Sequence, residues 1–383
     1  MQYSVPVCTP SQLRVVQVRE KKALHCVQGK IMFSREVKLA QLAVKRASLL
    51  TKRISDEIAA RTVGGIAKAD DSPVTVGDFA AQSIIINSIK KAFPNDEVVG
   101  EEDSEMLKKD PKLAQKVLEE IKWVQEQDKA NNGSLSLLNS LDEVCDAIDG
   151  GNSKGGRQGR IWALDPIDGT KGFLRGDQFA VCLALIVDGV VKVGVIGCPN
   201  LPFDLQDKSK GKGGLFTAAE GLGSYYQNLF EEILPLESSR RITMNNSLSF
   251  DKCRVCEGVE KGHSSHGLQG LIKEKLQIKT KSANLDSQAK YCALSRGDAE
   301  IYLRLPKDVK YREKIWDHAA GNILIKESGG IVSDIYGNQL DFGNGRELNS
   351  QGIIAASKNL HGDIITAVKS IIGERGQDLE KYI

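Results

Sequence analysis

Apolar residues recur at helical spacing early in the chain and predict two amphipathic helices. The first starts near Ser34, a suitable N-cap, and ends before the glycine pair at 64–65. Its apolar positions are Val37, Ala40, Val44, Ala47, Ile54 and Ile58. The second starts near Asp78, ends before Pro94, and has apolar residues at Ile85, Ile86, Ile89 and Phe93. The polar stretch that follows holds further predicted helices, near 111–128 and 140–148.

Shorter apolar runs in the middle of the chain predict a mainly antiparallel sheet. The predicted strands lie at 98–99, 161–164, 179–187, 190–197, 215–219 and 224–226. Asp188-Gly189, between the two longest runs, is a dipeptide typical of two-residue hairpin turns. The first two strands run directly into acidic residues, which places carboxylates at strand ends.

The last third of the chain alternates strand-like and helix-like segments, which predicts an α/β unit. The clearest segments lie at 299–303, 316–328 and 353–356. At roughly 150 residues per domain, a chain of 383 residues favours two domains. We therefore predict a basic leader over 1–31, an α+β domain over 32–239 and an α/β domain over 240–383.

Composition and charge argue against several classes of partner. Hydrophobic residues make up 41% and charged residues 27% of the chain, as in ordinary globular proteins. The net charge of +2 gives no field that would recruit nucleic acid or an anionic membrane. No apolar run reaches the roughly 18 residues that a membrane-spanning helix needs. We predict a small-molecule substrate held by a local site, no nucleic-acid or membrane partner, and a monomer.

Eight cysteines spread along the chain favour reduced thiols in an intracellular protein. Cys253 and Cys256 form a lone C-x-x-C, and two buried strand residues are favoured there over a zinc or redox site. Residues 1–31 contain five basic residues and one acid, Glu20. This composition fits an organelle transit segment, and equally a leader before a working start at Met32. We predict a cytoplasmic protein, with organelle targeting by 1–31 as the alternative.

The sharpest chemical signal is the run DPIDGT at 165–170. Pro166 and Gly169 predict a tight turn directly after a strand. Asp165 and Asp168 repel each other on such a turn unless a cation cancels their charge, and carboxylate oxygens are ligands that Mg²⁺ prefers. For this motif alone, a surface Asx-type turn is the alternative.

Two more acidic positions favour the metal hypothesis. The acidic run at 101–103 follows a predicted strand, and Asp317 opens a predicted helix that closes at the glycine pair 329–330. A solvated acidic turn and an ordinary helix-capping acid are the respective alternatives. Three acidic groups, each at a strand end or a helix start, fit one shared oxygen-ligand site better than three coincidences.

Two long motifs resemble the signatures of the inositol monophosphatase and fructose-1,6-bisphosphatase superfamily of lithium-sensitive, magnesium-dependent phosphatases. They are WALDPIDGTKGF at 162–173 and WDHAAGNILIKESGGIVSD at 316–334. The runs that resemble its 3'(2'),5'-bisphosphate nucleotidase branch are DDSPVTVGDFAAQ at 70–82, VVGEED at 98–103, EGVEKGHSSH at 257–266, DSQAKYC at 286–292 and YREKIWDHAAG at 311–321. The resemblance extends from about residue 33 to the C-terminus. It implies an α/β (α+β) fold, a layered α/β/α/β/α sandwich of the sugar-phosphatase type.

The resemblance also implies roles for individual residues. One Mg²⁺ would be held by Glu101, Asp165 and the backbone carbonyl of Ile167. A second would be held by Asp165, Asp168 and Asp317, with a third, weaker ion near Glu101. Asp78 and Thr170 would orient and deprotonate the attacking water. The substrate contacts would be Thr170, His263, Ser287, Lys290, Arg304 and Asp317.

The implied reaction is Mg²⁺-dependent hydrolysis of adenosine 3',5'-bisphosphate to AMP and phosphate, with 3'-phosphoadenylyl sulfate as a further substrate. The nearest alternative is an inositol polyphosphate 1-phosphatase or inositol monophosphatase with the same metal ligands. A non-catalytic nucleotide or phosphoinositide sensor is the alternative from another class, and the complete acidic set argues against it. Lithium is expected to inhibit by occupying a magnesium position.

Overall fold

The described residues form two β-sheets, one of seven strands and one of five. The computed structural model describes residues 33–63, 73–246, 249–259, 266–306 and 310–374. The leader at 1–31 and the predicted substrate contact His263 lie outside these described residues, so their predicted roles remain predictions. Within the described part of the chain, no helix is long and apolar enough to cross a membrane.

The helices are numbered in chain order. They are α1 (Ser34–Val63), α2 (Pro73–Ala92), α3 (Glu105–Lys109), α4 (Pro111–Gln127), α5 (Leu141–Asp149), α6 (Thr170–Arg175), α7 (His266–Lys275), α8 (Ala289–Arg296), α9 (Ala319–Glu327) and α10 (Lys358–Glu374). The strands of the first sheet are β1 (Glu97–Gly100), β2 (Arg160–Asp168), β3 (Ala180–Val187), β4 (Val190–Pro202), β5 (Lys212–Ala219), β6 (Gly223–Asn228) and β7 (Arg240–Ile242). The strands of the second are β8 (Val255–Glu257), β9 (Ala283–Asn284), β10 (Ile301–Arg304), β11 (Gly330–Ser333) and β12 (Ile353–Ser357).

The seven-stranded first sheet follows chain order from β1 to β7. β1 is parallel to β2, and the remaining pairs are antiparallel, as predicted for the middle of the chain. The turn between β3 and β4 places Asp188 at φ 50° and Gly189 at φ 78°. Two successive positive φ values are what a type I′ hairpin turn requires, so the predicted hairpin is confirmed.

The second sheet is mixed and has the order β11-β12-β10-β8-β9. β10 pairs antiparallel with β12 and parallel with β8. Cys253 and Cys256 are fully buried and belong to the free cysteines of the described chain, which confirms that they are buried. Cys256 lies on β8 as predicted, whereas Cys253 lies two residues before that strand.

Side-chain alternation along the strands builds a five-layer arrangement. On β3, Val181 and Leu183 pack against α1 and α2, while Cys182 and Ala184 face the opposite side, toward α8 and α9. The second sheet likewise has α8 and α9 on one face and α7 and α10 on the other. Successive residues of a strand point to opposite faces, so each sheet is buried on both sides. The predicted α/β/α/β/α sandwich is confirmed.

Three element boundaries differ from the sequence predictions. Helix α2 begins at Pro73, a residue suited to the first helical position, so Asp78 lies inside the helix and not at its start. Strand β2 continues through Asp168 because a bulge absorbs Pro166, where we predicted a turn after 164. Helix α9 begins at Ala319, so Asp317 lies just before the helix.

The predicted domain boundary between residues 239 and 240 falls at β7, which forms the last strand of the first sheet. Helix α9, from the predicted second domain, packs on β4 of that sheet. The division of the chain into 32–239 and 240–383 stays a prediction.

Candidate active site

The end of β2 presents two acidic side chains to the same side of the sheet. Residues three apart on a regular strand face opposite sides. Here Asp165 pairs with Cys182 and Asp168 with Ala180, so the register shifts by one residue between them. This bulge restores a common direction. It aims both carboxylates into the space between the two sheets.

Gly169 ends the strand in a conformation that other residues rarely adopt. Its φ is 92°, and an added Cβ would lie 2.9 Å from the Cβ of Ser287. The chain therefore turns sharply while touching the second half of the molecule. Helix α6 begins with the next residue, and Thr170 lines the cleft with its side chain exposed.

Helix α2 brings Asp78 and the 101–103 run to the same place. An added Cβ at Gly77 would lie 2.8 Å from Cδ1 of Ile167, so the helix approaches the β2 bulge closely. One turn further on, Gln82 accepts from the backbone N–H of Glu102 at 3.0 Å and donates to its carbonyl at 2.7 Å. These bonds fix the chain that carries Glu101 directly after β1. The Ile167 side chain is buried in the core, which anchors the bulge.

Five carboxylates from four parts of the chain act on one another. Burial raises the pKa of Asp165 well above its usual value, and further repulsion comes from the charges of Glu101, Asp168, Asp317 and Asp78. The Oδ1 atom of Asp165 is buried and has no hydrogen-bond partner. Buried polar atoms are nearly always paired, so this oxygen lacks a partner that the protein does not supply.

Three other members of the cluster also have raised pKa values, whereas Lys290 and the backbone N–H of Gln288 oppose the rise at Asp168. Glu101 is exposed as a whole residue, but burial of its carboxylate, and then the charge of Glu102, raise its pKa to about 7 against an opposing hydrogen bond with Asp165. Burial raises the pKa of Asp317 to about 7, with His318 opposing the rise and Asp168 adding to it. Burial and then Glu102 raise the pKa of Asp78 well above its usual value. Hard divalent cations such as Mg²⁺ prefer such all-oxygen sites, so the residues present fit that ion.

Two cations line the same cleft, Lys290 buried and Arg304 partly buried. Lys290 on α8 is 7% exposed, and its Nζ donates to the carbonyl of Leu285 at 3.3 Å and lies 5.4 Å from the ring centroid of Tyr302. Burial lowers the pKa of Lys290, and the charge of Asp168 acts against that change. Arg304 ends β10, with its neighbours Leu303 and Leu305 both buried. Lys290, Arg304 and Ser287 all line the cleft.

A hydrogen-bonded chain holds Arg304 in place. Its Nε donates to Oε1 of Glu313 at 2.6 Å, and Oε2 of Glu313 lies 3.2 Å from Nε2 of His318. Nδ1 of His318 lies 2.8 Å from the hydroxyl of Tyr291. Burial by itself would raise the pKa of Glu313, but the hydrogen bond with His318 and the charge of Arg304 lower it to about 2.

Glu313, Asp317 and His318 also bring three potential ligand atoms within 4.8 Å of one another. We do not interpret this group as a separate metal site. Both oxygens of Glu313 and both ring nitrogens of His318 already have protein partners. Of the three, only Asp317 shares in the repulsion among the uncompensated carboxylates.

Sequence reasoning missed two connections between the halves of the molecule, one through the partly buried Arg346 and one through the buried Gln288. Arg346 donates to the carbonyls of Gly100 (2.5 Å) and Ser153 (3.0 Å), and its guanidinium stacks 4.8 Å from the ring centroid of Trp316. Gln288 bonds to residues of both halves, as described below. Neither residue carries a signal in the hydrophobic pattern, because their partners are distant in sequence.

The cleft has a volume of about 670 Å³. Asp168, Thr170 and Asp317 line it together with Lys290 and Arg304. An anionic ligand can therefore meet a cation site and fixed positive charge in one cavity.

The family profile of the inositol monophosphatases matches residues 34–373. The chain belongs to the inositol monophosphatase family. Members of this family generally depend on magnesium, and the carboxylate cluster lies within the matched residues.

Relatives named 3'(2'),5'-bisphosphate nucleotidase cover most of this inositol monophosphatase family member. Nucleotidase 2 of Candida albicans is 53% identical over 88% of this chain and 98% of its own length. The Emericella nidulans protein is 46% identical over 89% and 99%. The Oryza sativa protein is 41% identical over 90% and 96%.

Solved structures match the fold. The suppressor protein suhB of Bartonella henselae gives a TM-score of 0.54 at 18% identity, covering 87% of this chain and 98% of its own. An inositol monophosphatase of Zymomonas mobilis gives 0.54 at 17% identity, covering 88% and 99%. At these identities the likeness concerns the fold alone, and it agrees with the two sheets and three helical layers found here.

Proposed function

We propose that this protein is a 3'(2'),5'-bisphosphate nucleotidase that hydrolyses adenosine 3',5'-bisphosphate to AMP and phosphate, and 3'-phosphoadenylyl sulfate to adenylyl sulfate. One observation carries the proposal. A single cleft is lined by Asp168 and Asp317 of the carboxylate cluster and by two cations on separate elements, the buried Lys290 and the partly buried Arg304. A bisphosphorylated ligand would place one phosphate beside the carboxylates, where Mg²⁺ would bind, and the other beside Lys290 and Arg304. The names of the relatives support the same substrate class.

Glu101, Asp165, Asp168, Asp317 and the carbonyl of Ile167 would hold Mg²⁺ in two positions, with a third ion near Glu101. When bound there, Mg²⁺ supplies positive charge that activates a water molecule and neutralises the leaving oxygen. Oδ1 of Asp165 has no hydrogen-bond partner and lies among the repelling carboxylates, so this residue would be a ligand of Mg²⁺.

The chain's own groups orient the reactants. Asp78 is buried with a raised pKa, so its carboxylate is a stronger proton acceptor than an ordinary aspartate. Together with the Thr170 hydroxyl, it would position the water and accept its proton. Lys290 and Arg304 would bind the phosphate that is not cleaved, and charge-assisted hydrogen bonds make that contact strong. Ser287 and His263 would complete the nucleotide contacts.

Phosphate release from adenosine 3',5'-bisphosphate tests the proposal directly. We expect turnover with Mg²⁺, none in excess chelator, inhibition by Li⁺, and AMP as the chromatographically identified product. Inositol 1,4-bisphosphate and inositol 1-phosphate are measured in parallel. Turnover of the inositol phosphates without turnover of the nucleotide contradicts the substrate. Binding of the nucleotide without any hydrolysis would show a sensor and contradict the activity itself.

A further inference from the structure

Gln288 bonds simultaneously to the carboxylate of Asp168 and to the backbone on both sides of Asp317. It is 2% exposed and lies at the start of α8. Its backbone N–H donates to Oδ2 of Asp168 at 2.5 Å. Its side-chain Nε2 donates to the carbonyl of Trp316 at 2.8 Å, and its Oε1 accepts from the N–H of Gly321 at 3.0 Å. One residue therefore holds a carboxylate of the first sheet and the turn that carries Asp317.

The local backbone explains how Gln288 reaches Asp168. Ser287, the preceding residue, has a φ of 62°, in the left-handed region that residues other than glycine seldom occupy. This conformation turns the next N–H toward the end of β2. The carbonyl of Gln288 accepts from Cys292 as the first hydrogen bond of α8, so the orientation is fixed from both sides. Strain at such a position persists where the surroundings impose it.

The side-chain amide spans the turn around Asp317. Trp316 comes directly before Asp317, and Gly321 lies in the first turn of α9. Without the amide, a buried carbonyl and a buried N–H would both be unpaired, which is costly. Movement of the turn toward water relieves that cost. Such a movement changes the separation between Asp317 and Asp168.

We propose that Gln288 is a positioning residue that sets the spacing between Asp168 and Asp317 for divalent-cation binding. The inference rests on the proposed function for its catalytic meaning, but it concerns metal affinity first. Gln288 touches neither substrate nor ion in this proposal, and acts through the two carboxylates. Partners that orient metal ligands typically change metal affinity 10–100-fold when they are mutated.

Gln288→Met tests the proposal with a matched control. Methionine has a similar length and adapts to a buried site, while it lacks both amide hydrogen-bonding groups. The control is Gln125→Met on α4. Gln125 is also buried, and its amide also binds a backbone pair, the N–H and the carbonyl of Leu138 at 2.7 and 3.0 Å. Both substitutions thus remove one side-chain clamp of the same kind.

The measurement is the Mg²⁺ concentration that gives half-maximal thermal stabilisation of the full chain, without substrate. We expect this midpoint to rise about tenfold in Gln288→Met and to stay within about twofold of wild type in Gln125→Met. The Mg²⁺ dependence of phosphate release should shift in the same way, with kcat at saturating Mg²⁺ changing less than the midpoint.

An unchanged midpoint in Gln288→Met overturns the proposal, and so does an equal rise in both variants, which would indicate general loosening. If Gln288→Met does not fold, Gln288→Asn, whose shorter amide cannot span the turn, gives the same comparison. Wild-type protein that binds Mg²⁺ but hydrolyses no phosphate ester refutes the proposed function. The Mg²⁺ midpoints then still decide the role of Gln288.

Discussion

Asp165 and Glu313 are both almost fully buried, at 2% and 4% exposure. Their surroundings nevertheless shift the pKa values of the two carboxylates in opposite directions. Burial and four neighbouring carboxylates raise the pKa of Asp165, and one of its oxygens has no partner. Glu313 is equally desolvated, but His318 and Arg304 lower its pKa to about 2. Both oxygens of Glu313 are hydrogen-bonded.

The difference separates a buried carboxylate that the protein leaves unneutralised from one that it pairs with its own cations. A buried carboxylate that the protein itself neutralises stabilises one arrangement of its partners. A cluster that the protein leaves unneutralised is costly unless a cation from solution completes it. The closeness of acidic ligand atoms does not by itself distinguish these two kinds of buried carboxylate. They differ in whether each carboxylate oxygen has a hydrogen-bond partner.

The largest expected effect comes from Asp165→Asn. The substitution preserves shape but removes one negative charge from the centre of the cluster. We expect phosphate release from adenosine 3',5'-bisphosphate to fall by at least about 10³-fold, equivalent to roughly 4 kcal/mol of barrier. In excess chelator at pH 8, the free energy of unfolding should rise, because repulsion is relieved.

Asp96→Asn is the matched control for that experiment. Asp96 is also buried, but it accepts from Arg160 and from the indole N–H of Trp162 at 2.8 Å. This variant should lose stability and keep its turnover rate. Undiminished turnover in Asp165→Asn, or a stability loss equal to that of Asp96→Asn, contradicts the distinction between the two kinds of carboxylate.

Glu313→Gln should lower the free energy of unfolding, whereas Asp165→Asn should raise it in excess chelator. It leaves the Arg304 guanidinium buried without its counter-charge, and breaking such a pair typically costs about 3–5 kcal/mol. Urea unfolding in excess chelator measures the loss. The Mg²⁺ midpoint of thermal stabilisation should stay near that of wild type, because Glu313 is outside the repelling cluster. A large rise in that midpoint would instead make Glu313 a metal ligand.

A smaller effect is expected in the pH dependence of thermal unfolding. In chelator, Glu101 and Asp317 have pKa values raised to about 7, so the folded state binds more protons than the unfolded chain. Stability should therefore fall as the pH rises from about 4 to about 7. Glu313, with its lowered pKa, contributes stability above about 4.5 that is lost as the pH falls toward about 2.

Mg²⁺ should counteract the fall in stability that the raised pKa values of Glu101 and Asp317 cause as the pH rises. It replaces protons on the carboxylates, so the rise in melting temperature on adding Mg²⁺ should be a few degrees larger at pH 8 than at pH 5. Melting curves at both pH values, with Mg²⁺ and with chelator, check this. A Mg²⁺ effect that is equal at the two pH values would contradict the assignment of Glu101 and Asp317 to the cluster.

Periodicity and turn chemistry predicted much of the fold. The helical spacing of α1 and the Asp188-Gly189 hairpin were recognisable because both depend on neighbouring residues. The start of α2 was placed too late, although Pro73 is a signal for the first helical position. The bulge in β2 was read as a turn, since Pro166 permits either and only pairing with β3 decides.

The residues of the candidate site could be singled out from the sequence to the extent that they lie in recognisable motifs, and their metal and substrate roles stay predictions. Asp165, Asp168 and Asp317 lie in runs that resemble the family signatures, although each motif alone also fits a surface turn or a helix-capping acid. Glu313 and Arg346 do not, because each acquires its meaning from a partner brought close only by folding. Whether a buried carboxylate is paired with a cation depends on residues that only folding brings close. The sequence alone therefore could not show that Glu313 is paired and Asp165 is not.

The strand order of the first sheet has a consequence for how the protein folds during its synthesis on the ribosome. Because β1 to β7 are adjacent in space in the order of synthesis, each strand can pair with its predecessor as soon as it emerges. Arg346 is made long after that sheet and bonds to the carbonyl of Gly100 on its edge strand β1. A truncated chain that ends before Asp317 keeps Glu101, Asp165 and Asp168 but lacks a ligand of the second proposed Mg²⁺ position, so Mg²⁺ should stabilise it less than it stabilises the full chain.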